Sequence, residues 1–382
     1  MRVPFLDLKT QYLSIKEEIQ VGINEVLDNT AYICGKKVKA FEEAFSQAHQ
    51  AQYCLGLSSG TDALHLAYWC MGIGIGSQVE LGRLKEEMDE VIIPVNTYIA
   101  TSESLTIAGG RPVFVDHDEE SFNIDPAKIE EKITPKTRAI VAVHLYGQPA
   151  DMDAISAIAR RHNLEVIEDC SQAHLARYKG KLIGTFGRVG TFSFYPGKNL
   201  GAYGEGGAVL TNDHGLYEKM LSFRQHGAVV KYVHNLEGHN YRMEEIQGAV
   251  LGVKIRYLEK WTDQRRQVAA RYRELFQSVD EVKTPKELPG NKHVYHLFVI
   301  RVPQRQALAD FLKDKGIDTG LHYPMPLHVQ EAYRYMGLRE GDFPVAEKCC
   351  REILSIPMYP DLTEEQIQYV VDSVKQFYTR KG

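Results

Sequence analysis

The chain has 382 residues, 44% hydrophobic and 25% charged, which is the composition of an ordinary globular protein long enough for two or three domains. A formal net charge of -5 with scattered Lys and Arg argues against nucleic acid or an acidic membrane surface as a partner. No apolar stretch approaches the ~18 residues that cross a bilayer, and MRVPFLDLKTQY lacks the basic head and apolar core of a signal peptide, so a cytoplasmic enzyme is expected.

In chain order, the first motif is Ser58-Ser59-Gly60-Thr61-Asp62, ahead of an apolar helical run from Ala63 to Met71. Glycine lets the backbone approach an anion, a helix start offers unpaired N–H groups, and the Ser59 and Thr61 hydroxyls add donors. This is the pattern of a phosphate site, although an ordinary Ser/Thr cap looks the same locally. Val91 to Pro94, Pro112 to Asp116, Ala139 to His144 and Leu164 to Asp169 read as buried strands, nearly continuous in Val and Ile. Helical stretches lie between them, such as the one carrying Ile155, Ile158 and Ala159 on one face. Strands alternating with helices predict an α/β fold with a mostly parallel sheet.

Asp169 ends the strand LEVIED, where open α/β sheets place ligand-binding groups. A carboxylate there needs a cationic partner or several hydrogen bonds. A protonated pyridine nitrogen would serve, and so would a helix starting at Ser171 that Asp169 caps. Glu168 should point to the other face of the strand. Further on, Val189 to Phe194 and Gly207 to Thr211 are strands bracketing a Gly-rich loop that contains Lys198. Phe194, Tyr195, Pro196 and Leu200 surround that lysine and would favour its neutral form, as a nucleophilic amine requires. A long helical stretch follows Glu244 to about Val279. Val282 to Lys292 reads as a loop, His296 to Val302 as a strand, Gln306 to Gly316 as a helix and Glu364 to Tyr378 as another. The expected division is a large domain over 1–250 with an N-terminal arm, and a smaller α+β domain over 251–382. Six cysteines (Cys34, Cys54, Cys70, Cys170, Cys349, Cys350) have no ligand spacing and read as reduced packing residues. No metal site is expected.

Taken together, SSGTDALHLA, NTYIATSES, VHLYGQPADMDAI, IEDCSQAH, FSFYPGKNLGAYGEGG, HNYRMEEIQGAVLGVK and HYPMPLHVQEAY resemble the DegT/DnrJ/StrS group of nucleotide-sugar aminotransferases that use pyridoxal 5'-phosphate. The likeness runs from VPFLDLKTQY to LSIPMYPDLTEEQI. It implies the aspartate-aminotransferase-like (type I pyridoxal phosphate) fold. It also implies that Lys198 is the Schiff-base lysine and Asp169 the pyridinium partner, that Gln172 lies beside the ring, and that Tyr98 stacks on it. Gly60, Thr61 and Ser193 match phosphate contacts. Asn240 matches a residue reaching the phosphate from a second subunit, which implies a homodimer with shared active sites. His174, Tyr195, His322, Tyr323 and His328 fall in segments like the family's sugar-facing parts; two histidines six apart with no third ligand do not suggest a metal.

NTYIAT, SFYPGKNLGA and Lys231-Tyr232 look most like members that aminate dTDP-linked 3-keto-6-deoxyhexoses with glutamate as donor. The alternatives are amination at C4 of a UDP-, GDP- or dTDP-linked 4-keto sugar, and a non-catalytic regulator that binds pyridoxal phosphate. Sugar 3-dehydration, in which the family carries histidine for the lysine, is opposed by Lys198. A nicotinamide site at Gly72 to Gly76 is rejected because those glycines follow a helix. The chain departs from the family in a charged insertion, Ser77 to Glu90, read as a solvated helical decoration. It also has Leu175 where glycine is common, which puts the pocket around His174 in question, and Glu205 where aspartate is common.

Overall fold

A computed structural model describes residues 1–74 and 88–379. Three helices open the chain, α1 (Leu8–Ser14), α2 (Lys16–Asp28) and α3 (Lys36–His49). Then come β1 (Tyr53–Leu57), α4 (Gly60–Cys70), β2 (Glu90–Pro94), α5 (Ala100–Ile107), β3 (Arg111–Val115), β4 (Thr137–Val143), α6 (Met152–His162) and β5 (Glu165–Asp169). Short strands β6 (Arg177–Tyr178) and β7 (Lys181–Leu182) precede β8 (Val189–Ser193) and β9 (Gly207–Thr211). Seven strands form one sheet in the order β1-β9-β8-β5-β4-β2-β3, and β9 is its one antiparallel member.

The apolar runs are continuous because both faces of the sheet are covered. Ile92, Ile140 and Ala142 join the core under α6, whose Ile155, Ile158 and Ala159 meet them. Their neighbours Val91, Ile93, Ala139 and Val141 join a second core with Leu297, Leu327, Phe343 and Ile353. Strand side chains alternate, so each run serves two layers.

After α7 (His214–Arg224) and the hairpin β10 (Ala228–Val230) and β11 (Val233–His234), the predicted long helix is two. A 3-10 turn at Ile255–Tyr257 separates α8 (Glu245–Lys254) from α9 (Leu258–Phe276). The break lets α8 pack on α2 and α3 while α9 serves the C-terminal core. β12 (Asn291–Lys292) pairs with β6, and α11 (Pro344–Glu352) buries Ala346 and Cys349 in the second core, whereas the C-terminal core takes side chains from β13 (Phe298–Arg301), α10 (Arg305–Asp314), β14 (Ile353–Ile356) and α12 (Glu364–Thr379). Val3 belongs to it as well, donating to Gly316 O at 2.9 Å and accepting from Asp318 N at 3.0 Å. The division near residue 250 falls inside α8, and we retain 1–250 and 251–382 as a proposal.

Residues 77–87 of the predicted insertion lie outside the described residues. Its end is not a solvated decoration: Asp89 and Glu90 are buried, and Asp89 accepts from Gly74 N at 3.0 Å and Arg138 Nε at 3.1 Å.

Candidate active site

A cleft of about 660 Å³ opens at the carboxyl ends of β2, β4 and β5, and all three motifs singled out in the sequence line it. Ser59 caps α4, its hydroxyl accepting from Asp62 N at 3.1 Å. The first amides of that helix, at Gly60 and Thr61, have no intrahelical acceptor and so offer an anion site at the positive end of the helix. Only glycine fits at position 60. A Cβ there would lie 2.6 Å from Ser193 Cβ, which packs the β8 terminus against the helix start.

Asp169, at the end of β5, is buried. Its Oδ2 accepts from Thr101 Oγ1 at 2.8 Å, and Thr101 is in turn 2.9 Å from Thr97 Oγ1; its Oδ1 accepts from Ser171 N at 3.1 Å. No helix begins at Ser171, so the alternative role as a helix cap is not what holds this carboxylate. Glu168 faces the opposite side, accepting from Gly184, Phe186 and Gly187 N at 2.7 Å each.

Lys198 occupies a turn, its N–H donating to Tyr195 O at 2.8 Å. Burial strips hydration from its ammonium and lowers the pKa from 10.5 to about 8, with the Asp169 carboxylate opposing part of the shift. Gln172 is held at both ends: its Oε1 accepts from Tyr146 N at 2.7 Å and its Nε2 donates to Tyr323 OH at 3.1 Å. Tyr98 is 56% exposed and leans on Tyr323, with ring centroids 5.7 Å apart. Tyr146 OH donates to His322 O. The His322 ring stacks on Phe5 at 5.6 Å, and burial, aided by the Lys198 charge, holds its pKa at about 4.

The cleft therefore brings together Gly60, Thr61, Tyr98, Asp169, Gln172, Ser193 and Lys198, with Tyr195, His322 and Tyr323 on its wall. Two expected sugar-facing residues are not on it. His174 is fully buried among Phe45, Phe192 and Phe194, in the core rather than on the cleft wall, and the next residue, Leu175, has φ +62°. His328 is 1% exposed, packs on Phe343 and has Nε2 3.0 Å from Glu347 Oε1. Asn240 is also away from its own chain's cleft, with Oδ1 accepting from Arg242 Nε at 2.9 Å. The sequence reading missed Thr97 and Thr101, although NTYIAT was singled out, and it missed Phe5, Leu6 and His296, which also line the cleft.

Among the described residues, His144, Glu168 and Cys170 have the spacing of metal ligands. The lone pairs of His144 and Glu168 are taken, however. Glu168 holds the three amides, and His144 Nδ1 accepts from Ala150 N at 3.0 Å, so Nε2–H points at Glu168 Oε2, 3.1 Å away.

The cleft fits an aldehyde cofactor with a phosphate and a pyridine nitrogen. A side-chain-free cradle at Gly60, an anchored carboxylate at Asp169 and an amine at Lys198 that sheds its proton near neutral pH share one cavity.

The DegT/DnrJ/EryC1/StrS aminotransferase family matches residues 13–375. A pleiotropic regulatory protein of Geobacillus stearothermophilus is 47% identical over 380 residues, covering 99% of each chain. The dTDP-3-amino-3,4,6-trideoxy-alpha-D-glucose transaminase of Streptomyces venezuelae is 41% identical over 379 residues, 99% of this chain and 97% of that one. Among solved structures, S. venezuelae DesV in complex with a ketimine intermediate superposes with a TM-score of 0.93 at 41% identity, covering 98% of both chains.

Proposed function

The chain belongs to the DegT/DnrJ/EryC1/StrS aminotransferase family, and from that premise we propose that it transfers an amino group from glutamate to C3 of a dTDP-linked 3-keto-6-deoxyhexose. It is a nucleotide-sugar aminotransferase with pyridoxal 5'-phosphate as cofactor. The carbon and the nucleotide are supported by the dTDP-3-amino-sugar transaminases among its relatives, and glutamate is the donor we assign.

The observation that carries the residue assignments is Lys198 in the cleft with its pKa near 8, facing the anchored Asp169. Bound there, pyridoxal phosphate supplies an aldehyde that condenses with amines and a pyridine ring that accepts the electron pair left when the donor loses its Cα proton. Lys198 is the residue that would hold the cofactor through its amine and, when that amine is free, would carry the proton as general base and acid. Asp169 would pair with the pyridine nitrogen and favour its protonated form. Thr101 and the Ser171 amide hold both carboxylate oxygens, so the charge is aimed rather than mobile. Gly60, Thr61 and Ser193 would hold the phosphate, joined by Asn240 from the second subunit of a homodimer. Tyr98 would cover the ring face and Gln172, locked by Tyr146 and Tyr323, would lie beside it. Tyr195, His322 and Tyr323 face the sugar.

Among the described residues, no helix is long and apolar enough to cross a membrane; a cytoplasmic location remains part of this proposal. The regulator reading has one point in its favour, the name of the 47% identical relative. Incubation with glutamate and a panel of dTDP- and UDP-linked 3-keto and 4-keto sugars, with products identified by mass and NMR, separates the possibilities. A 3-amino dTDP-sugar is expected. A 4-amino product would move the site of amination, and no loss of the cofactor's visible absorbance with glutamate would favour the regulator.

A further inference from the structure

We propose that His296 is a positioning residue for Lys198, its ring held by Asn199 so that a neutral nitrogen with a free lone pair is available to the Lys198 amine whenever that amine is not bonded to the cofactor. The inference rests on the role given to Lys198 above.

Asn199 follows Lys198 in the chain and is buried. Its Nδ2 donates to Val294 O at 3.1 Å, which fixes the carboxamide with Oδ1 toward the His296 ring. His296 Nδ1 lies 3.3 Å from that Oδ1, and only an N–H can satisfy a carbonyl oxygen. The hydrogen is therefore on Nδ1, leaving Nε2 as an acceptor. His296 lines the same cleft as Lys198. Burial keeps the ring neutral, and the charges of Lys198 and Arg265 push the same way.

The other groups around the pair do not duplicate this arrangement. Asp169 acts on Lys198 by charge but has its oxygens occupied by Thr101 and Ser171. His174, on which the Lys198 charge also acts, is held in its aromatic cage off the cleft wall, and His322 shares Nδ1 with Ser355 Oγ at 2.9 Å. Arg265, from α9, acts on His296 but spends its Nη1 on the carbonyls of Tyr295, His296 and Met358. Tyr323 takes the Gln172 amide. His296 is thus the neighbour whose tautomer is set by the residue next to the reactive lysine. It would accept a hydrogen from the Lys198 amine and stabilise the ammonium whenever Lys198 holds the proton. Losing it should lower the Lys198 pKa further.

The test follows uptake of pyridoxal phosphate by full-length, cofactor-free protein, read from the visible absorbance against pH, because the uncharged fraction of Lys198 sets the rate. The wild-type midpoint is expected near 8. His296→Leu should shift it down by about half a pH unit or more, and His296→Gln, whose amide oxygen restores an acceptor, should return it toward wild type. Equal midpoints in wild type and His296→Leu overturn the proposal. If melting curves show His296→Leu unfolded, Asn199→Ala, which releases the ring, should shift the midpoint the same way, and an unshifted midpoint there overturns it too. Uptake by Lys198→Ala at the wild-type rate overturns the assignment of Lys198 itself, and with it this inference. That failure is recognised because it appears without any change at position 296.

Discussion

Lys198 works only if its ammonium gives up a proton near neutral pH, and burial in the cleft brings its pKa to about 8. Lys198→Ala should retain the phosphate and ring contacts while slowing the glutamate half-reaction by at least about 10³-fold, followed as loss of the cofactor's visible absorbance in single turnover. Near-wild-type turnover in that variant would remove Lys198 from the mechanism. Gly60 tests the phosphate cradle independently. An added methyl lies 2.6 Å from Ser193 Cβ, with Ser193 Cα at 3.1 Å, so the helix start must shift away from β8. Gly60→Ala should cost about 1–3 kcal/mol through overpacking and should lose most of the rise in melting temperature that pyridoxal phosphate gives the wild type. An undiminished rise would place the phosphate elsewhere.

At the scale of the element, β5 separates structure from chemistry by strand alternation. Glu168 anchors three amides of the segment leading to β8, whereas Asp169 faces the cleft. Glu168→Leu should leave those donors unsatisfied and destabilise by at least about 3 kcal/mol in urea unfolding. Asp169→Asn should leave the unfolding midpoint nearly unchanged and lose most of the activity. If Asp169→Asn proved the more destabilising of the two, the faces would have been misassigned. That alternation, like the two-sided burial of β2 and β4, is legible in the sequence because it depends on period alone. Directions set by backbone turns are not. His174 is two residues from Gln172, yet its ring packs among Phe45, Phe192 and Phe194 in a turn segment with left-handed Leu175, and His328 sits in a 3-10 turn with its ring against Glu347. Thr101 and His296 were missed for another reason: what they do depends on partners 68 and 97 residues distant in sequence. Three N-terminal helices also went unread, because their apolar positions bury against α8 and the Phe192 and Phe194 region rather than forming a run of their own.

At the scale of the whole molecule, acid stability follows from the burial of histidines. His49, His65 and His293 are buried, and loss of hydration holds their pKa values at about 4, 4 and 3. The unfolded chain binds protons at these histidines below about 6.5 while the folded chain does not. Stability is therefore complete above that pH and falls as pH drops toward 4, by up to about 1.4 kcal/mol per pH unit for each ring. Urea midpoints at pH 7.5 and 5.5 should differ in that direction, and equal midpoints would mean the rings are hydrated. Sharing is tested by mixing two inactive proteins. Asn240 does not line its own chain's cleft; in the proposed dimer it serves the partner's phosphate, and Asn240→Asp would set a carboxylate against that phosphate. In a dimer of Lys198→Ala with Asn240→Asp, one site would carry both lesions and the other neither. Random reassociation of equal amounts makes half of the dimers mixed, each with one intact site, so activity should recover to about a quarter of wild type. If Asn240 instead acted within its own chain, every site in the mixture would keep one lesion. Mixing would then restore nothing beyond the residual rate of Asn240→Asp.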